Sequence, residues 1–125
     1  MRIIDANILL RYLLADNESM TEQASNIIDN SQINLPIEVL CEVVYVLEKI
    51  YKVVRNDISD QLITFIDDSD TIIPHNDAVL SGLKYYAETK LDFVDCILVG
   101  YAEKENAEIH TFDKDLNKLL SKVHT

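Results

Sequence analysis

Residues 1–14 read MRIIDANILLRYLL, and the order of residue types within them decides the fold. Residues 2–4 form a short apolar lead that reads as a buried strand. Asp5 interrupts it with a carboxylate, and Ala6 resumes the apolar run. Asn7 to Leu14 then reads as a helix, apolar almost all round. A strand with a helix directly after it is the repeating unit of a parallel α/β layer, and Asp5 stands at the junction of the first one.

The unit recurs along the chain. "INLP" (33–36) reads as a strand whose Pro36 suits the first position of a helix. From Ile37 a helix follows, with Leu40, Val44, Leu47 and Tyr51 at helical spacing. "TIIP" (71–74) and "EIHTF" (108–112) are two further strands. Val79, Leu83 and Tyr86 mark the helix after the third strand. Val94, Ile97, Leu98, Tyr101 and Ala102 give the clearest stripe, and a short charged helix closes the chain. Two more helices fall between these units. Ser19 to Glu22 reads as a capping box for one that runs through Ile27 and Ile28, and Asp57 as the cap of one carrying Ile58, Leu62, Phe65 and Ile66. Both glycines fall inside helices, and no Gly/Ser-rich linker divides the chain. The expected fold is therefore a single α/β domain over 1–125: a parallel sheet of four to five short strands with helices on both faces, its functional residues at the carboxyl ends of the strands.

Composition narrows the class. The chain has 125 residues, 48% of them apolar, which suits one globular domain with a real core. No apolar run reaches the roughly 18 residues of a membrane span. The first residues hold one Arg and no small-residue cleavage site, so no signal peptide and a cytoplasmic location are expected. Cys41 and Cys96 lie in apolar runs and read as buried free thiols; no CxxC or His/Cys cluster suggests zinc. Eleven basic residues against 22 acidic ones give a net charge of −11. That balance argues against a sequence-blind nucleic-acid binder. It leaves two readings, a soluble acidic surface or acids gathered to hold metal ions.

The positions of the acids favour the second. Asp5 follows the first strand and Asp113 follows the fourth. Asp92 and Asp95 begin the helix of "LDFVDCIL", and Glu42 sits about two turns into the helix after the second strand. Each has an ordinary alternative. Asp92 could be an N-cap with Asp95 as a favourable first-turn acid, and Asp113 could be a turn aspartate. Asp5, between Ile4 and Ala6, and Glu42, between Cys41 and Val43, are expected to be partly buried, where an unpaired charge is costly. Glu38 competes with Glu42, one turn earlier. Carboxylates gathered at one sheet edge repel, so some are protonated or a cation binds among them. Mg²⁺ and Mn²⁺ prefer such oxygen ligands, and Asn7 could hydrogen-bond Asp5 and orient it.

The segments "IIDANILLRYLLAD", "LPIEVLCEVVYVLEKIY" and "LDFVDCILVGYAEKENAEIHTFDKDL", in that order, resemble PIN-domain nucleases of the VapC toxin type, over residues 2 to about 118. The resemblance implies a Mg²⁺- or Mn²⁺-dependent endoribonuclease held inactive by a cognate antitoxin. It assigns the catalytic, metal-holding acids to Asp5, Glu42 (rather than Glu38), Asp95 and Asp113. Asn7 and Asp92 would support them, and Asp115 would assist. The implied chemistry is hydrolysis of an RNA phosphodiester to a 5′-phosphate and a 3′-hydroxyl. No Ser–His or Cys–His arrangement supports a covalent route, and His75, His110 and His124 read as structural or exposed.

Two basic groups are candidates for RNA contact: Lys49, Lys52 and Arg55, and Lys114, Lys118 and Lys122 at helical spacing. Arg11 is expected near the site. The ordinary reading of all of these is a solvated face. The apolar excess in residues 8–14 and 37–51 predicts a homodimer. Rival functions are an acid-site phosphatase or phospho-receiver, which would want a paired acid beside Asp5, and a non-catalytic PIN-fold interaction module.

Overall fold

A computed structural model describes residues 1–123. The chain forms two compact units, Met1–Pro74 and a second that begins at His75.

The first unit contains α1 (Ala6–Leu14), α2 (Glu18–Asp29), β1 (Ile33–Asn34), α3 (Ile37–Lys49), α4 (Arg55–Asp68) and β2 (Thr71–Ile72). β1 and β2 pair in parallel, Ile33 opposite Thr71 and Asn34 opposite Ile72. Ile3 adds a parallel bridge to Asn34. β1 is the middle of this array, because successive amides of a strand point to opposite sides. The amides of Ile33 and Leu35 donate to Asp70 and Ile72, while that of Asn34 donates to Arg2 at 2.6 Å. α1 packs on α2 and α3, and α3 on α4. Leu9, Leu40, Val43, Leu47, Ile58 and Leu62 are fully buried.

The second unit contains α5 (Asn76–Glu88), α6 (Phe93–Glu105) and α7 (Lys114–Val123). α5 and α6 approach closely through their glycines. A Cβ on Gly100 would lie 2.0 Å from the Ala78 carbonyl oxygen, and one on Gly82 would lie 3.0 Å from that of Cys96. Val99, Ala102, Leu116 and Leu120 form the core that holds α7 on α6, with Tyr85, Leu91, Leu98 and Ile109 packed round it.

The expected α/β class holds, with a smaller sheet than expected. The assigned sheet has two strands and one bridge, not four to five strands. The segment 108–112, expected as the fourth strand, is assigned none. Its side chains still alternate between half-buried and exposed. Its polar groups, however, serve α7: the Thr111 carbonyl accepts the Asn117 side-chain amide, and the Thr111 hydroxyl accepts the Asp113 amide. Two expected caps also differ. Asn17, not Ser19, caps α2 by accepting the Met20 amide, and Ser19 accepts Gln23 instead. α4 starts at Arg55 with Val54 at the cap, which puts Asp57 in its first turn. Among the described residues no helix is long and apolar enough to cross a membrane.

Candidate active site

In the first unit, Asp5 sits at the N-cap of α1 in an extended conformation. Its Oδ1 accepts the Ile8 amide at 3.1 Å, which satisfies one of the open amides of a first turn. Asp5 is exposed, against the expectation that Ile4 and Ala6 would bury it. The reason is local: a capping residue lies outside the helix, so its buried neighbours Ile4 and Ala6 face the core while its own side chain turns back along the helix end. Asn7 is exposed on the first turn and does not donate to Asp5. Glu42 is also exposed; α3 turns Val43, Val44 and Leu47 inward and leaves Glu42 on the opposite face. Arg11 is committed, its guanidinium bonding Asp16 at 2.9 Å and the Tyr51 hydroxyl at 2.9 Å. Those contacts, the Tyr51 bond foremost, raise its pKa above the ordinary arginine value.

In the second unit, two acids act on a third. Asp92 holds the N-cap position of α6, yet its carboxylate makes no cap bond, so the capping alternative fails for its side chain. Asp95 lies one turn on and is half-buried. Its pKa is pushed up, first by burial, then by the negative charges of Asp92 and Asp113. Asp113 caps α7, with Oδ1 accepting the Leu116 amide at 2.8 Å. Asp5, Asp92, Asp95 and Asp113 thus all stand at helix N-termini, where the helix dipole favours negative charge. In neither unit do three or more His, Cys, Asp or Glu side chains among the described residues close into a metal-gripping group.

Elsewhere the outcome is mixed. Cys96 is a buried free thiol; Cys41 is free but only half-buried, its pKa raised by burial and then by Glu38. His75 Nδ1 lies 2.6 Å from Glu105 Oε2 and His110 is exposed, while His124 lies outside the described residues. Lys49 and Arg55 both reach Glu48. Lys118 and Lys122 line a cavity of about 310 Å³ together with Lys90 and Asp115, and Lys114 is not part of it. Lys90 was missed because its partners are distant in sequence and lie on another element. Val94, expected on the apolar stripe of α6, is instead exposed, as is Phe112 at the end of the expected fourth strand.

The PIN domain family model matches residues 2–120. The chain belongs to the PIN-domain family. VapC ribonuclease of Aquifex aeolicus (strain VF5) is 27% identical to it over 124 residues, covering 95% of this chain and 92% of the relative. No solved structure matches it. The PIN-domain match runs through both units and includes Asp5, Glu42, Asp92, Asp95, Asp113 and Asp115. Family membership bears out the resemblance read from the three motif segments and sets aside a phosphatase or receiver.

Proposed function

We propose that this PIN-domain chain is a metal-dependent endoribonuclease, the toxin of a toxin–antitoxin module, and that its two units work as one nuclease domain. The observation that carries the reading is the crowding of Asp95 by Asp92 and Asp113 within a PIN-family chain. The name of the similar VapC ribonuclease supports RNA as the substrate. We assign catalysis to Asp5, Glu42, Asp95 and Asp113, with Asn7, Asp92 and Asp115 in support.

The donor chemistry fits a hard divalent ion. All four assigned groups are carboxylates, three of them exposed; Asp95's pKa is raised first by burial and then by repulsion from Asp92 and Asp113, and that repulsion is of the kind a bound cation relieves. Mg²⁺ or Mn²⁺, held by Asp5, Glu42, Asp95 and Asp113, would supply a Lewis acid for phosphodiester hydrolysis. The chain contributes pre-oriented oxygens. Asp5 and Asp113 each spend Oδ1 on a helix amide, and that bond fixes where the second oxygen points. Asp92 keeps its carboxylate out of the helix cap and adds negative charge beside Asp95. An antitoxin that presents Arg toward Asp5 and Asp95 would compete with the metal, since a guanidinium pairs a carboxylate in bidentate fashion. The reading includes action in the cytoplasm and a homodimer.

The test is cleavage of total RNA by the purified chain with Mg²⁺ or Mn²⁺ and with chelator. Metal-dependent cleavage is expected, lost in Asp5→Asn and Asp95→Asn. Unimpaired cleavage in chelator overturns the metal assignment. Antitoxin binding without any cleavage would make the chain a non-catalytic interaction module.

A further inference from the structure

We infer that Lys90, Lys118 and Lys122 form a subsite for the sugar–phosphate backbone of the RNA strand. The inference rests on the ribonuclease reading above and extends it to how an acidic protein holds a polyanion. The cavity these lysines line has a volume of about 310 Å³; Leu91 and Leu119 supply its apolar lining and Asp115 its one carboxylate. Three cations against one anion is a local reversal of charge in a chain of net −11. Chance grouping on a solvated face explains it poorly, because the lysines come from two elements. Lys118 and Lys122 lie one turn apart on α7, where like charges at this spacing destabilise a helix. The helix dipole accounts for Lys122 in the last turn of α7. It does not account for Lys90, which the link between α5 and α6 brings to the same cavity.

The subsite is tied to the acids by the elements that carry both. Lys90 stands two residues before Asp92. Asp113 caps α7, and Lys118 and Lys122 lie roughly 7.5 and 13.5 Å farther along its axis at the helical rise. A strand that passes Asp95 and Asp113 can therefore run on along α7 and set its phosphates among the lysine ammonium groups. The Thr89 hydroxyl, also in the lining, is already used: it donates to the Tyr85 carbonyl and accepts the Leu91 amide. Recognition here is of charge and spacing, so it does not read sequence.

The experiment measures binding of a short fluorescent single-stranded oligoribonucleotide in chelator across a salt series. Variants are K118Q/K122Q, K118R/K122R and, as a control outside the cavity, Lys84→Gln, an exposed position on α5. Removing one lysine–phosphate pairing flattens the slope of log K against log salt by about 0.7 for single strands. K118Q/K122Q removes two, so it should flatten the slope by about 1.4, with circular dichroism confirming an intact fold. K118R/K122R and Lys84→Gln should keep the slope of the unaltered chain. Salt-dependent binding by the unaltered chain with the same slope in K118Q/K122Q overturns the subsite alone. An equal flattening in Lys84→Gln also overturns it, because the effect would then be one of general charge. No binding by the unaltered chain, together with no cleavage, overturns the ribonuclease reading and the subsite with it.

Discussion

Asp113 accepts the Leu116 amide on Oδ1 and leaves Oδ2 without a hydrogen-bond partner among the described residues. Asn caps helices as well as Asp, and Ala does not. Asp113→Asn should therefore abolish cleavage at nearly unchanged stability, whereas Asp113→Ala should lose about 1 kcal/mol as well. Chemical denaturation beside an RNA-cleavage assay separates the two effects. Asp95 behaves differently because burial and its acidic neighbours raise its pKa. A raised carboxyl pKa lets the native chain keep a proton that the unfolded chain has released. Stability then falls as pH rises from the ordinary aspartate value through the folded one. In chelator, Asp95→Asn should match the unaltered chain below that window and exceed its stability above it. Urea melts across pH check this; a variant less stable at neutral pH would mean that Asp95's charge is not under strain.

Among the elements, the α5–α6 pair is held at a distance only glycine allows. Gly100→Ala would drive a Cβ into the Ala78 carbonyl, and overpacking of this kind costs about 1–3 kcal/mol or more. A drop in midpoint with an unchanged denaturant slope is the expected readout. The same pair is tied by polar bonds: Glu103 accepts the Ser81 hydroxyl at 3.1 Å and the Tyr85 hydroxyl. The Tyr85 bond foremost holds Glu103 below the ordinary carboxylate range, while burial first, and then Glu103, pushes Tyr85 up to about 12. α6 is thereby fixed, and with it the spacing of Asp92 and Asp95 at its start.

For the whole molecule, the structure narrows the dimer expectation. In residues 8–14 the apolar side chains are buried or half-buried, whereas Tyr45 and Ile50 are 61% and 64% exposed, with Val54 just beyond them. A homodimer through the end of α3 is the expected state. Light scattering should report a dimer for the unaltered chain and a monomer for Ile50→Asp. A monomer in both cases would leave these side chains to another partner.

Residue order alone was enough to find the helices of the described residues, the strand segments at 33–36 and 71–74, and acids at helix starts, because periodicity and helix-end chemistry are local. The three motif segments likewise sufficed to place the chain in its family. What lay beyond sequence was whatever depends on neighbours distant in the chain. The segment at 108–112 has strand alternation, yet strand formation needs a partner, and its polar groups bond α7 instead. Asp5 and Glu42 look enclosed by apolar neighbours in sequence, yet successive residues face different ways, and both are exposed. The lysine cavity joins residue 90 to residues 118 and 122, a proximity created only when α7 packs on α6.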